Sequence, residues 1–331
     1  MNGQVTSSPH LHSGESIRGI MLDVIFALVP AGIAGVFFFG IRALMIILVS
    51  VATCVLCEML WQWLLKKPIS IGDMSAVVTG LLLAYNLPPT LPLWMAVLGA
   101  AFAIIIAKQV FGGLGHNFIN PALAGRAFLL AAFAGDMTSW VSASLFGMDA
   151  QSTATPLALL KAGNLSEMPE MLQLILGNIG GCIGETSSIL LLLGGLYLLA
   201  RRVIKLRIPA AFIGTVAVLA FIFGTDGGFM QRLQVTGYHL FSGGLFLGAF
   251  FMATDYTTTP STPLGQLLFG IGCGLITCVI RFIGGYPEGV SYSILIMNVA
   301  APLIERHTMP RVYGHERKKW PWSKKGGAEA I

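Results

Sequence analysis

The sequence predicts an all-α polytopic membrane protein, with about ten transmembrane helices in two inverted five-helix repeats that contain interrupted helices. Three observations predict this. Of 331 residues, 55% are hydrophobic and only 11% are charged, whereas a soluble domain carries about 25% charged residues. Mean hydropathy is +0.78, and the apolar residues gather into runs, several of them near the ~20 residues that cross a hydrocarbon core. Finally, two distant stretches repeat one order of features.

The elements follow in order. Residues 1–19 are polar, show no cleavable leader and are expected to form a cytoplasmic segment. Apolar runs come at 20–40 and 43–65, then at 74–86 and 92–107. The break between the last two reads NLPPTLP, where Pro88, Pro89 and Pro92 forbid a continuous helix. A fifth run at 119–134 closes a first membrane repeat, 20–134. A polar stretch at 135–185 is expected to be an extracytoplasmic loop. Runs at 186–200, 208–224, 239–254, 264–281 and 290–304 form a second repeat, 186–304, and a basic tail covers 305–331.

Orientation follows from the positive-inside rule. With both termini in the cytoplasm, roughly fifteen basic residues lie inside, including the RRVIKLR cluster at 201–207 and the tail, against four outside. The loop then carries Asp136, Asp149, Glu167, Glu170 and Glu185 against Lys161. The net charge of +5 is therefore a topology signal and does not point to nucleic acid. Cys54 and Cys57 form a CxxC inside an apolar run, where buried thiols are ordinary, and no disulfide framework emerges. His10 and His12 lie in the polar start, where a metal site is not expected.

The repeat is read from two stretches. Each has a short helix ending in Tyr85-Asn86 or Asp255-Tyr256. A Pro-containing turn follows, then a helix ending in Lys108 or Arg281, then a glycine pair, Gly112-Gly113 or Gly284-Gly285. An Asn-led helix closes each stretch, NPALAGR from Asn120 or NVAAPLIER from Asn298. Five segments per unit, an odd number, forces the second unit upside-down. Such repeats with Gly/Pro-interrupted segments point to a midplane site in transport folds.

The segments GGLGHNFINPALAGRAF (112–128), FFMATDYTTTPST (250–262) and YPEGVSYSILIMNVAAPLIER (286–306) resemble signatures of one family. It contains the D subunit of the Rnf electron-transport complex and the B subunit of the sodium-pumping NADH:quinone reductase, and chain length favours the Rnf branch. The resemblance implies FMN joined by a phosphodiester to a threonine, here Thr186 in GETSS, attached by an extracytoplasmic flavin transferase. It also implies a second, non-covalent flavin, riboflavin. The host would be a bacterial inner-membrane complex that couples electron transfer between ferredoxin and NAD to Na+ or H+ transport. The partners would include another flavin-bearing subunit and iron–sulfur subunits. The chain would be a translocase subunit with no complete active site of its own. A solute channel or carrier is the reading of another class that an inverted repeat alone would suit.

Read from the residues themselves, Thr186 or Ser187 could cap the sixth helix. The same place suits a phosphate. Gly184 allows close backbone approach, and a helix N-terminus favours an anion; Glu185 opposes one. Ionisable residues within the hydrocarbon read as functional. Arg126 and Asp255 are candidates to line a flavin or ion site, as is Asn120, which could instead satisfy a broken helix end. Lys108 and Arg281, near predicted helix ends, are expected to snorkel into water. No catalytic residue and no metal ligand is assigned.

Overall fold

A computed structural model describes residues 16–143, 153–185 and 187–310. Thr186, Asp149, the His10–His12 pair and the tail from residue 311 lie outside the described residues. Among those described, every regular element is helical. Helix α1 (Ile17–Phe39) starts at Ser16, whose side chain accepts from the Gly19 N–H, and stops at Gly40, φ 75°. Helix α2 (Ile41–Leu64) leaves directly from that glycine. Then come α3 (Ser75–Tyr85) and α4 (Leu93–Gln109), separated by the predicted proline break. The second half of α4, Phe102–Gln109, widens into a π-helix. In α5 (Pro121–Ala132), proline takes the first position and the Asn120 side chain accepts from the N–H groups of Ala122 and Leu123, a pairing that starts helices firmly.

Three short helices follow, α6 (Ala134–Met137), α7 (Pro156–Lys161) and α8 (Met171–Leu176); α7 and α8 lie within the stretch expected to be a loop, and α6 starts one residue before it. The chain continues with α9 (Ser188–Ala200), α10 (Arg207–Phe223), α11 (Phe229–Phe241) and α12 (Leu245–Met252). Last come α13 (Pro263–Phe282), capped by Thr262, and α14 (Val290–Thr308). The expected single run at 239–254 is corrected here: α11 and α12 are two helices bent by 60°. Helix α11 escaped the hydropathy pattern because FMQRLQVTGYHLF mixes Gln231, Arg232 and Gln234 with its apolar face.

This is an all-helical membrane protein. Among the described residues, helices α1, α2 and α13 are long and apolar enough to cross a bilayer, as is the bent pair α11–α12 taken as one span. Phe26, Ile33, Leu48 and Trp63 stand exposed on α1 and α2, a surface suited to lipid rather than water. Helix packing relies on small residues. Helix α2 lies on α3, α1 on α9, and α10 on α13. At Gly80 an added Cβ would sit 2.6 Å from the Val51 Cα, and at Gly274 it would sit 2.6 Å from the Thr215 Cβ. Close backbone approach of this kind replaces the hydrophobic drive that lipid does not supply.

Gly80→Val therefore wedges α2 from α3. Overpacking of about 1–3 kcal/mol is expected to lower the thermal unfolding midpoint of the detergent-purified protein by several degrees. Gly72→Ala, where no atom lies within 4 Å of the new methyl group, should leave it unchanged. Equal midpoints for the two variants would refute this packing account.

Candidate functional site

Two buried polar clusters occupy the two ends of α3. At its N-terminal end, Lys108 of α4 is 2% exposed and Glu58 of α2 is 1% exposed. The Lys108 Nζ donates to Glu58 Oε2 at 2.9 Å and to Ser75 Oγ at 2.7 Å. Gln109 Nε2 donates to Glu58 Oε1 at 2.7 Å, and Ser75 Oγ donates to Asp73 Oδ1 at 2.7 Å. Adjacent residues on an α-helix diverge by about 100°, yet Lys108 and Gln109 reach the same carboxylate. They lie in the π stretch, a distortion that recurs at functional sites. The snorkelling expected of Lys108 is corrected: its ammonium turns inward because a carboxylate is there to receive it.

A pocket opens beside this cluster. Lys108, Asn117, Asn120, Thr254 and Asp255 give it polar edges, and Leu198, Phe250 and Phe251 are among its apolar walls. It draws on both predicted repeats. Asn120 reaches further into the second: its Nδ2 donates to the Met252 carbonyl at 3.3 Å. With the Asn298 amide oriented by its hydrogen bonds, its nitrogen donates to the Ile294 carbonyl and its oxygen accepts from the Asn120 N–H at 3.0 Å.

The other cluster is built round Arg126 of α5, which is 6% exposed. Its Nη1 donates to Asn86 Oδ1 at 3.1 Å and to Ser291 Oγ at 2.6 Å. Its Nη2 donates to the Glu288 carboxylate and to Cys182 Sγ. Glu185 Oε1 lies 3.9 Å from Nη1, and neither Glu185 oxygen has a hydrogen-bond partner among the described residues. Cys182, Glu185 and Glu288 bring ligand atoms within 4.8 Å of one another, a set that could hold a cation; Arg126 already supplies positive charge there. Glu185 stands on the loop between α8 and α9. Burial pushes its carboxyl above the usual carboxylate range, the Glu288 charge adds to that, and Arg126 opposes it.

The structure thus separates the predicted residues. Asn120 and Asp255 converge on the pocket, while Arg126 and Glu185 meet at the other end of α3. Gly184 supports close approach of a different kind: its N–H donates to the Tyr85 carbonyl at 2.9 Å. A Cβ there would lie 2.2 Å from the Tyr85 Cβ. Ser187 occupies the N-cap position of α9, but its side chain makes no capping hydrogen bond. That corrects the helix-cap reading for Ser187. Arg281 is also buried, at 4% exposure, and does not snorkel. Glu58, an ionisable residue in an apolar run, is legible in the sequence, but its pairing with Lys108 is not, nor are Glu288 and Ser291 as partners of Arg126. The first pair carried a signal, two opposite charges each set in an apolar run.

Buried, internally paired charges within a lipid-facing helical scaffold define a polytopic membrane protein with polar sites inside it. The chain belongs to the NQR2, RnfD, RnfE family, whose sequence profile matches residues 4–314. It is 53% identical over 316 residues to the D subunit of the Na+-translocating ferredoxin:NAD+ oxidoreductase complex of Acetobacterium woodii, covering 95% of this chain and 96% of that one. It is 46% identical to the D subunit of the proton-translocating ferredoxin:NAD+ oxidoreductase complex of Clostridium ljungdahlii, again over 95% and 96% of the chains. The D subunit of an ion-translocating oxidoreductase complex of Yersinia enterocolitica is 39% identical, over 95% and 99%.

Breaking a buried ion pair from one side costs about 3–5 kcal/mol, whereas replacing both partners with apolar residues can be near neutral. Lys108→Met is accordingly expected to destabilise the protein strongly, and Glu58→Leu with Lys108→Met to recover most of the loss. A double-mutant cycle read by thermal unfolding checks this; strictly additive effects would show that the pair is not coupled.

Proposed function

We propose that this chain is the D-type membrane subunit of an ion-translocating ferredoxin:NAD+ oxidoreductase complex. It would work in a bacterial inner membrane, passing electrons while Na+ or H+ crosses the bilayer. The observation that carries this reading is similarity along nearly the whole chain to D subunits of complexes named for that activity. Its partners are then the other membrane and peripheral subunits, among them a second flavin-bearing subunit and iron–sulfur subunits. Ten spans in two inverted five-helix repeats, with both termini cytoplasmic, complete the proposal. Contact between Asn120 and Asn298 joins the two stretches, although Asn298 lies inside α14 and does not lead it as the expected Asn-led helix would have it.

The chain's chemistry in this reading belongs to flavins, which supply electron acceptance and release. FMN is carried on Thr186 through a phosphodiester made by an extracytoplasmic transferase. Its surroundings fit an anion. Ser187 leaves the first turn of α9 without a side-chain cap, and the first amides of a helix attract phosphate. Glu185 is buried beside Arg126, and burial together with the Glu288 charge raises its carboxyl above the usual range, so it opposes a neighbouring phosphate less than an ordinary carboxylate would. The pocket bounded by Asn117, Asn120, Thr254 and Asp255 fits riboflavin in kind: apolar walls for a flat ring, with amides and hydroxyls at its edges. There Asn120 and Lys108 would orient the ring, and Phe250 and Phe251 would exclude water.

Denaturing electrophoresis under ultraviolet light tests the attachment. Thr186→Ala should give a dark band and lose the mass of FMN less one water, while Ser187→Ala stays fluorescent. A dark wild-type band from a host with a working transferase would sink the covalent-flavin reading.

A further inference from the structure

Arg281, the residue matched to Lys108 in the repeat, is buried without the carboxylate that Lys108 has. Its Nη1 donates to the His239 carbonyl at 2.6 Å and its Nη2 to the Ser242 carbonyl at 3.5 Å, so it faces the C-terminal end of α11. Helix-end carbonyls offer only about half a charge. No carboxylate among the described residues lies within ion-pair distance of Arg281; Glu288 is engaged by Arg126, and Glu185 lies beside that same arginine. Among the described residues the Arg281 Nε has no hydrogen-bond partner, and neither has the Nδ1 of His239, whose side chain is 6% exposed. Both residues line one cavity of about 240 Å³, with Lys161 also on its wall. Lys161 donates to the carbonyls of Gly284 and Tyr286. No acidic residue among those described lines that cavity.

Glu185 and Glu288 reach Arg281 only from beyond ion-pair distance, so a nearer anion would stabilise its guanidinium, and a cavity lined by Arg281, His239 and Lys161 with no acidic residue among those described suits an oxyanion. We propose that this cavity binds the phosphate group of a phosphate ester. Arg281 and Lys161 supply the charge, His239 supplies a further hydrogen bond, and Leu157, Leu160 and Phe223 receive the apolar part of the ester. Two sources share this chemistry: a phospholipid headgroup, or the phosphate of the flavin proposed on Thr186. Only the second rests on the flavin reading.

The test uses the full chain purified in mild detergent. Native mass spectrometry looks for retained phospholipid in the wild type and in Thr186→Ala. Thermal unfolding then compares inorganic phosphate with chloride at matched ionic strength. A lipid retained in both proteins, and lost in Arg281→Gln, identifies the headgroup. Stabilisation by phosphate only in Thr186→Ala identifies the tethered phosphate, and stabilisation in both shows an open phosphate site. His239→Gln and Lys161→Met, milder changes that guard against misfolding of the arginine variant, should each weaken the effect by about tenfold or more, as loss of one hydrogen bond to a charged group implies. The proposal is overturned if neither protein retains lipid nor distinguishes phosphate from chloride, or if both milder variants behave as the wild type. A wild type lacking covalent flavin would remove the tethered source and leave the lipid and open-site outcomes standing.

Discussion

Much of this structure depends on one guanidinium. Arg126 is buried, so its charge must be answered by polar and acidic groups of the protein. Its partners come from α3 through Asn86, from α14 through Ser291, and from two separate loops through Glu288 and Cys182. Helices α3 and α5 have 11 and 12 residues, so each is about 16–18 Å long and neither spans a bilayer alone. They end within the molecule, where their open backbone groups need side chains. Asn86 and Asn120 meet that need and both also touch Met252, which fixes where α12 stops. The polar contacts that fasten the short helices are therefore the contacts that join the two parts of the chain.

The Glu58–Lys108 pair applies the same logic to a pocket. A buried ion pair is weak evidence for stability, because desolvation can outweigh attraction. Its value here lies in fixing a cation beside a cavity in a π-distorted helix, with Ser75 and Asp73 continuing the hydrogen-bond chain. A flat redox ligand held there would meet a charge whose position is set by three helices rather than by a flexible side chain.

How much of this could be read in the residues differs from one place to the next. The helices with unbroken apolar runs were legible, as were the break at Pro88–Pro89 and the Asn120–Pro121 start, because hydropathy and proline act locally. Helix α11 was not, since its mixed face imitates a loop when only hydropathy is read. Asn120 and Asp255 were both flagged, and they do share a pocket. That Arg126 belongs to a different cluster depended on where Glu288 and Ser291 fold back, more than 160 residues away in sequence. Lys108 and Arg281 were misjudged for one reason: snorkelling is a property of an isolated side chain, and burial is decided by partners supplied from other helices.

The strand of backbone before α9 is stitched to the earlier part of the molecule, with the Ile183 N–H on the Leu87 carbonyl and the Gly184 N–H on that of Tyr85. During synthesis the ledge at 85–87 leaves the ribosome about a hundred residues ahead of the segment that docks on it. The later segment is thus tied to an earlier one by main-chain groups, and the tie closes only once both are made.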